Sequence, residues 1–350
     1  MKKFIVFLLF TCATCFFNVS VAQESKYEED QSLNLNLNNS EDNLTAFIKA
    51  RASLVEGEEV IFYAKGDIYG FVNGDRDKAL MSFEMYNIAR ANKDENGGYV
   101  LLSREVGVYK DIRSGKILES FVNPYTQEKV EVVHVWNDPV NQKFTLKSEY
   151  GEWSMNHTSL GKDRICMNAD IFLTYPSPLP VASYPKNSQD DMYEAAELFQ
   201  FYFSRTDMNN PNLNSIPVEI SWTRIGPWLP WMNMGQRPGN MVYHCTGYKL
   251  MGDDYDELPA AFIDYIKSTK PEFTNAPEVY SKPNETSWTY FKKINPIGEM
   301  NDEPNPGEAE KMKIEQRRQK TNLEKMDRKK IMQGAEIKRR DAMKEEDNDE

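Results

Sequence analysis

The residues best suited to acid–base chemistry lie in one run over residues 130–140, Val-Glu-Val-Val-His-Val-Trp-Asn-Asp-Pro-Val. Strand alternation places His134 and Trp136 on one face. If that face lines a cavity, His134 can act as a general acid or base with Asp138 or Tyr125, and Trp136 can contact the ligand. The alternative is a hydrogen-bonded core histidine followed by a turn.

A second run, residues 222–235, reads Trp-Thr-Arg-Ile-Gly-Pro-Trp-Leu-Pro-Trp-Met-Asn-Met-Gly. Its tryptophans, interrupted by proline and glycine, predict no regular element but an aromatic loop at the mouth of a pocket. Trp228, Trp231 and His244 are therefore candidate ligand contacts. Arg224 in this apolar setting requires a carboxylate, from the protein or from a ligand. The alternative is a loop that folds into its own core.

Metal and cofactor motifs are absent from the sequence. There is no Gly-rich phosphate loop, no HExxH, no Gly-x-Ser-x-Gly and no cluster of Cys and His. The three histidines, His134, His157 and His244, would all have to converge to form a three-histidine site. We therefore expect neither a metal nor a cofactor.

The elements that must position these residues begin after a secretory leader. Residues 1–22 combine Lys2 and Lys3 with an apolar run and small residues before Gln23, which is typical of a cleaved signal peptide. The apolar run is shorter than the roughly 20 residues of a spanning helix. We therefore expect an exported protein, periplasmic or secreted, with no membrane span in the mature chain.

The cysteines follow from that compartment. Cys12 and Cys15 leave with the leader, so Cys166 and Cys245 remain. In an oxidising compartment two remaining thiols are expected to pair as a disulfide. The alternative is two separate buried thiols that pack as small apolar residues.

The charge of the chain argues against one class of partner. The formal net charge of the 350 residues is −12, and the acidic excess lies between the leader and the C-terminal region. Such a body repels a phosphate backbone, so nucleic-acid binding is not expected.

Runs with strand character follow one another with short turns between them. This spacing predicts a mainly β fold, an antiparallel barrel or strongly curved sheet of calycin or lipocalin type, with two or three helices packed outside. The predicted strands are residues 60–63, 68–72, 80–88, 99–102, 106–109, 130–136, 143–150, 171–175 and 286–291, and the region 218–250 also has strand character.

Helical patterns and compositional changes complete the organisation. Helices are predicted at 44–54, at 190–204 and at 256–268, the second from the spacing of Met192, Ala195, Phe199 and Phe203. The domain boundaries are a signal peptide at 1–22, a flexible tether at 23–43, a single β-rich domain at 44–296 and a charged tail at 297–350. The tail is either a solvated helix or disordered segment, or a contact for another protein.

Three runs of the sequence resemble a known family. Asn-Pro-Tyr-Thr-Gln-Glu at 123–128, His-Val-Trp-Asn-Asp-Pro-Val at 134–140 and the run at 222–235 are similar to domain-of-unknown-function family 1838. The resemblance spans roughly residues 45–292 and implies an exported protein without an assigned activity. Gln127 stands where the family turn has glycine, so the turn is expected to differ here. No catalytic residue follows from the resemblance.

Three functions remain open from the sequence. The first is an exported pocket protein that binds a small, largely apolar molecule. The second is a barrel enzyme, an isomerase, cyclase or hydrolase that uses His134. The third is a structural protein of the cell envelope. A pocket in which His134, Tyr125 and Arg224 converge would favour the enzyme, whereas a filled core would favour the structural protein.

Overall fold

The computed structural model describes residues 35–73, 78–148, 151–252 and 255–297. The predicted signal peptide, most of the predicted tether and nearly all of the predicted charged tail lie outside the described residues. Within those residues, no helix combines the length and the apolar character needed to cross a membrane.

Fourteen strands and four α-helices form in the described residues. The helices are α1 (Ser40–Arg51), α2 (Arg205–Asn209), α3 (Ala260–Thr269) and α4 (Ser287–Ile294). The strands are β1 (Glu59–Phe71), β2 (Lys78–Lys93), β3 (Tyr99–Lys110), β4 (Ser120–Val122), β5 (Lys129–Glu131), β6 (Val135–Asn137), β7 (Gln142–Phe144), β8 (Lys147–Ser148), β9 (Gly151–Glu152), β10 (Asn156–Ser159), β11 (Arg164–Pro176), β12 (Met192–Ser204), β13 (Glu219–Gly226) and β14 (Asn240–Lys249).

Ten of these strands form one antiparallel sheet in the order β10-β11-β12-β13-β14-β1-β2-β3-β6, with β7 also paired to β3. The prediction of a mainly β, antiparallel fold is therefore confirmed. The sheet is open, because its terminal strands do not pair with each other in the described part of the chain. The described residues therefore do not form a closed barrel.

Two glycines allow the central strands to approach closely. A Cβ at Gly66 would lie 2.0 Å from the carbonyl oxygen of His244, and one at Gly247 would lie 2.0 Å from that of Tyr63. Both glycines lie where β1 and β14 pair. Glycine at such positions marks a sharp bend of the sheet.

The bend separates a concave side from a convex side. On the concave side, Phe83 of β2 contacts Trp222 of β13, with ring centroids 6.2 Å apart, although β1 and β14 separate these strands. Helix α1 packs on this side through Phe47, whose ring centroid lies 5.9 Å from that of Phe201. The convex side carries a second core, in which Phe262 of α3 contacts Tyr63 and Tyr86.

A buried lysine joins α1 to the sheet. Lys249 is 3% exposed, and its Nζ donates hydrogen bonds to the carbonyl oxygens of Lys49, Ala50 and Ala52 at 2.9, 2.9 and 3.1 Å. These carbonyls lie at the C-terminal end of α1, where backbone acceptors lack helical partners. The ammonium group therefore satisfies and orients the end of this helix.

Two predicted elements are wrong in type. The predicted helix at 190–204 is strand β12, paired along its length with β11. The predicted strand at 286–291 is helix α4, which begins with a capping box between Thr286 and Thr289. The helices predicted at 44–54 and 256–268 are confirmed as α1 and α3, with shifted ends.

Three smaller expectations are also corrected. The predicted tether includes residues 35–43, yet Leu37 and Asn43 are buried and α1 begins at Ser40. The predicted strand at 130–136 is two short strands, β5 and β6, separated by three residues. At the turn where the resemblance implies a glycine, Gln127 itself adopts a φ of 62°.

Candidate functional site

A row of polar side chains crosses the concave side on three neighbouring strands. Arg224 of β13 lies opposite Tyr243 of β14 and opposite Glu197 of β12. Residues directly opposite each other in an antiparallel pair project to the same face. The three side chains therefore point together towards the interior of the bend, where Tyr243 and Arg224 are 3% and 6% exposed.

Arg224 is enclosed by aromatic rings and has incomplete polar partners. Its Nη2 donates a hydrogen bond of 2.9 Å to the hydroxyl of Tyr193, while its Nε lies 3.7 Å from a carboxylate oxygen of Glu197. The guanidinium carbon is 5.2 Å from the ring centroid of Tyr243 and 5.3 Å from that of Trp288. The Nη1 has no hydrogen-bond partner among the described residues. A buried donor without an acceptor is costly, which makes it a candidate ligand contact.

Glu197 is a half-buried carboxylate beside Arg224. Burial raises its pKa, while the charge of Arg224 acts in the opposite direction. Because 25% of its side-chain surface is accessible, a ligand on the concave side can contact this carboxylate.

Glu105 is a second carboxylate on the concave side. It lies on β3 two residues from Gly107, where an added Cβ would be 2.4 Å from the ring of Phe83 on the concave side. Burial raises the pKa of Glu105, and the charge of Glu197 raises it further.

Two further groups accompany Glu105. Asn137 Nδ2 donates a hydrogen bond of 3.2 Å to Glu105 Oε2, while the Oδ1 of Asn137 has no partner in the described residues. Arg51, at the end of α1, donates through Nη2 to Asn87 and lies 5.2 Å from the ring centroid of Phe62. Burial lowers the pKa of Arg51 to about 10, and the charge of Glu105 opposes this effect.

Aromatic rings surround these charged groups. Trp222 stacks on Phe199 with ring centroids 5.8 Å apart, and it contacts Tyr243 at 5.6 Å. Phe83 contacts Tyr243 at 5.3 Å. We refer to the arrangement as the concave site, and it consists of Arg51, Glu105, Glu197 and Arg224 with Phe83, Phe199, Trp222 and Tyr243. Its charges balance as two cations and two carboxylates.

His134 lies beside the concave site rather than in it. Its Nδ1 accepts a hydrogen bond of 3.2 Å from the backbone N–H of Tyr109, and the backbone of Leu118 also interacts with the ring. Burial lowers the pKa of His134 to about 4. The ring of His134 is thus held by backbone groups of Tyr109 in β3 and of Leu118. This arrangement favours the interpretation as a hydrogen-bonded core histidine over that as a general base.

The predicted aromatic loop packs into the concave core. The strand character predicted for 218–250 is confirmed in β13 and β14, and β13 includes the start of the aromatic run, residues 222–226, where no regular element was expected. Trp228 and Trp231 are 3% and 5% exposed. Trp228 contacts Tyr125 at 5.3 Å, and Trp231 contacts Tyr109 at 5.3 Å.

The remaining predicted residues lie on the convex side or at the sheet edge. Trp136 contacts Phe273 at 5.2 Å in the convex core. Asp138 pairs with Arg104 at 2.9 Å. His244 is exposed on β14, whose neighbouring positions Tyr243 and Cys245 point to the concave side. Of the predicted set, Arg224 alone belongs to the concave site.

The predicted disulfide is wrong. Cys166 and Cys245 are both free and buried. They lie on β11 and β14, with β12 and β13 between them. Neighbouring strands are about 4.8 Å apart, so the Cα atoms are well beyond the ~7 Å limit for a disulfide.

Neither a metal cluster nor the surface clefts described below coincide with the concave site. No group of three or more His, Cys, Asp or Glu side chains in the described residues is arranged to hold a metal ion. Three surface clefts of about 520, 400 and 570 Å³ are lined by residues outside the concave site. Two of these clefts share Arg164, Tyr202 and Glu219 on the outer surface of the sheet.

The sequence contained one signal for the missed residues. Glu105 lies in a strand pattern between Leu101 and Tyr109, all at alternate positions, so its carboxylate falls on an apolar face. Glu197 had no such signal, because its segment was interpreted as a helix. Arg51 approaches the site only through the packing of α1.

Comparison with known proteins agrees with the resemblance seen in the sequence. A search of curated proteins finds no match. The model of a family described as protein of unknown function (DUF1838) matches residues 57–295. This range includes nearly the whole sheet and three of the four polar residues of the concave site. Because the match covers more than half of the sequence, the chain belongs to the DUF1838 family.

Proposed function

We propose that this protein binds a small molecule with an anionic group and an aromatic or apolar body in the concave site. The observation that carries the proposal is Arg224, which is 6% exposed and whose Nη1 lacks a hydrogen-bond partner among the described residues. This proposal keeps the class of function expected from the sequence, an exported protein that binds a small molecule. It changes the ligand from a largely apolar molecule to an amphipathic one.

The anionic group follows from the chemistry of a guanidinium. Arginine presents planar N–H donors that match carboxylate, sulfonate or phosphate oxygens. Glu197 is too distant, at 3.7 Å from Nε, to satisfy the group with a short hydrogen bond. An anion bound at Nη1 would therefore accept the hydrogen bonds that Arg224 does not make within the protein.

The apolar body follows from the surroundings. Pockets for small molecules are lined by aromatic side chains with a few polar groups that fix orientation. Phe83, Phe199 and Trp222 supply this lining, and Trp222 is also the neighbour of Glu197.

We also propose export of the chain, on the basis of the leader at residues 1–22. N-terminal sequencing of material from the periplasm or medium is expected to begin at Gln23. Intact Met1 on most molecules would contradict cleavage.

A pair of fluorescent probes tests the ligand class. 1-Anilinonaphthalene-8-sulfonate carries the aromatic body and an anion, whereas N-phenyl-1-naphthylamine carries a similar body without the charge. We expect both probes to bind, and Arg224→Met to weaken binding of the sulfonate about tenfold while leaving the neutral probe nearly unchanged.

Matched variants separate binding from folding. Arg164→Met removes an arginine whose side chain is 50% exposed, and it should change neither affinity. If Arg224→Met does not fold because Glu197 loses its partner, the double variant Arg224→Met/Glu197→Gln removes both charges and preserves neutrality. Equal effects of Arg224 replacement on both probes, or no binding of either probe by the wild-type protein, would overturn the proposal.

A further inference from the structure

We propose that a second copy of this protein binds along one uncovered edge of strand β11, so that two sheets join into one across a two-fold axis. The interface is the backbone of residues 169–176, which we call the free edge. This inference is independent of the ligand proposed for the concave site, because it depends on backbone pairing and not on Arg224.

The free edge has no neighbouring strand on one side in the described part of the chain. Strand β11 pairs with β12 from Arg164 to Pro176, whereas β10 covers its other side only from Ile165 to Asn168. Among the described residues, the backbone of 169–176 makes hydrogen bonds only to β12. An uncovered strand edge of this length is a template for pairing with another chain.

The hydrogen bonds that flank β11 show which of its backbone groups face β12. At one end, the N–H of Arg205 donates to the carbonyl oxygen of Asp163. At the other end, the N–H of Ser177 donates to the carbonyl oxygen of Asp191. Residues of an antiparallel strand bond to their two sides alternately. The odd-numbered residues of β11 therefore bond to β12.

The even-numbered residues of β11 present their backbone groups to the opposite side. The N–H of Leu160 donates to the carbonyl oxygen of Arg164 on that side, which fixes the same alternation independently. In the free edge, the N–H and C=O groups of Asp170, Phe172 and Thr174 therefore point away from the sheet. These groups are available to a further strand.

The side chains of the free edge resemble those of an interior strand rather than those of a protected edge. Phe172 and Ile171 are 76% and 37% exposed. Natural edges are protected by lysine, proline or a bulge. Residues 169–176, Ala-Asp-Ile-Phe-Leu-Thr-Tyr-Pro, carry one charge, at Asp170, and one proline, at the last position, and their pairing to β12 has no register shift. Pairing with another strand would remove this apolar surface from water.

A second copy of the same edge fits this segment. In antiparallel pairing about a two-fold axis at Phe172, residue 169 lies opposite residue 175, so the register uses nearly the whole free edge. Phe172 then lies opposite Phe172 of the partner subunit, and Ile171 lies opposite Leu173 of the partner subunit. Asp170 lies opposite Thr174 of the partner subunit, so no like charges meet. Opposite side chains share a face, and such an interface is the same patch on both copies.

Sedimentation velocity of the full-length protein measures the association. We expect a dimer at about 100 μM that dissociates on dilution. Phe172→Lys places two ammonium groups opposite each other at the axis, and Thr174→Pro removes an N–H that faces away from β12. Each change should raise the dissociation constant about tenfold or more. Phe71→Lys, at an exposed phenylalanine of β1, is the matched control and should leave the dissociation constant unchanged.

A disulfide cross-link tests the register. In a hydrogen-bonded antiparallel pair the Cα atoms are about 5.5 Å apart, which suits a disulfide. Phe172→Cys should therefore give a covalent dimer on mild oxidation. Asp170→Cys is the control and should remain unlinked, because its two copies would lie roughly 13 Å apart along the strands. Cys166 and Cys245 are buried, so they do not compete.

Several results would contradict the proposal. A monomer at this concentration would overturn it, and so would a dimer whose dissociation constant neither Phe172→Lys nor Thr174→Pro changes. Hydrogen exchange identifies a different occupant. Amide protons of Asp170, Phe172 and Thr174 that are protected in a monomer would show that a segment of the same chain covers the edge, which excludes the second copy. A covalent dimer from Asp170→Cys but not from Phe172→Cys would refute the axis at Phe172.

Discussion

The hydroxyl of Tyr109 lies 3.3 Å from the hydroxyl of Tyr243, although β1 and β2 separate their strands in the sheet. A flat sheet would hold these strands roughly 14 Å apart. The short distance between the two hydroxyl groups therefore indicates that the sheet is curved towards this side. The same bend brings Phe83 of β2 into contact with Trp222 of β13, so the concave site exists only in the folded sheet.

The bend itself can be tested at Gly247. Gly247→Ala would place a methyl group against the backbone of β1, at 2.0 Å from the carbonyl oxygen of Tyr63. Because backbone cannot move aside as a side chain can, we expect a loss of about 3 kcal/mol or more in the free energy of unfolding. Gly115→Asn, at a φ of 68° in open space, should cost less than about 1 kcal/mol. Urea unfolding of both variants is the measurement, and equal stabilities would contradict the close approach.

His134 should make stability depend on pH in a defined direction. Its pKa in the folded protein is lowered by burial to about 4, whereas in the unfolded chain it is about 6.5. Below pH 6.5 the unfolded chain binds a proton that the folded chain excludes. The free energy of unfolding should therefore fall as the pH decreases from about 6.5 to about 4, by about 3 kcal/mol in all from this group.

His134→Asn is the variant that isolates this contribution. Asparagine keeps an acceptor near the position of Nδ1 for the backbone N–H of Tyr109 but does not titrate. Urea unfolding at pH 7.5 and pH 4.5 should show a smaller difference in this variant than in the wild-type protein. The exposed His244 provides the control His244→Asn, which should leave the difference unchanged. An NMR signal of His134 that titrates near pH 6.5 in the wild-type protein would refute the prediction.

The cysteines should behave as two unreactive thiols. Burial raises the pKa of Cys245 to about 12 and also raises that of Cys166, and the two residues are 0% and 4% exposed. In the native protein we expect almost no labelling by iodoacetamide, because the thiolate is the nucleophile and neither thiol is ionised or accessible. After denaturation without a reductant, mass spectrometry should find both peptides alkylated. A peptide pair linked by a disulfide would disprove the arrangement of the strands between them.

Lys249 should contribute strongly to the attachment of α1. Lys249→Met keeps the length of the side chain but removes one donor from the carbonyl oxygens of Lys49, Ala50 and Ala52. The Lys49 oxygen still accepts from the backbone N–H of Ile216 and the Ala52 oxygen from Ser215 Oγ, so Ala50 is the residue whose carbonyl loses its donor. We expect destabilisation of about 1–3 kcal/mol, since one buried acceptor becomes unsatisfied. Lys65→Met on β1, an exposed lysine, is the control and should change stability by less than about 0.5 kcal/mol. A neutral effect of Lys249→Met in urea unfolding would show that solvent satisfies these carbonyls.

Local patterns predicted the parts of this protein that depend on neighbours in sequence. Alternation and turn residues indicated the antiparallel sheet, and the helical spacing around α1 and α3 indicated those helices. The alternation of apolar and polar residues is a property of each strand alone. It can therefore be recognised in the sequence without knowing which strands pair. For the same reason Arg224 could be singled out within its aromatic run before its partners were known.

Segments with two compatible patterns were decided by tertiary contacts. In β12 the residues Ala195, Phe199 and Phe203 satisfy both a helical spacing and a strand alternation. Pairing of this segment with β11 on one side and β13 on the other selects the strand. The reverse holds for α4, where the capping box at Thr286 and the packing of Trp288 over Arg224 select a helix.

The concave site is the clearest product of tertiary structure. By itself the sequence determined the class of fold, the family and the buried arginine, because composition, alternation and motifs are local. Only the register of β12 against β13 placed Glu197 opposite Arg224. Only the bend of the sheet brought Phe83 to Trp222 and Tyr109 to Tyr243 across the strands between them. Contacts between residues more than 130 positions apart in the sequence depend on how every intervening strand pairs, and no local pattern encodes this.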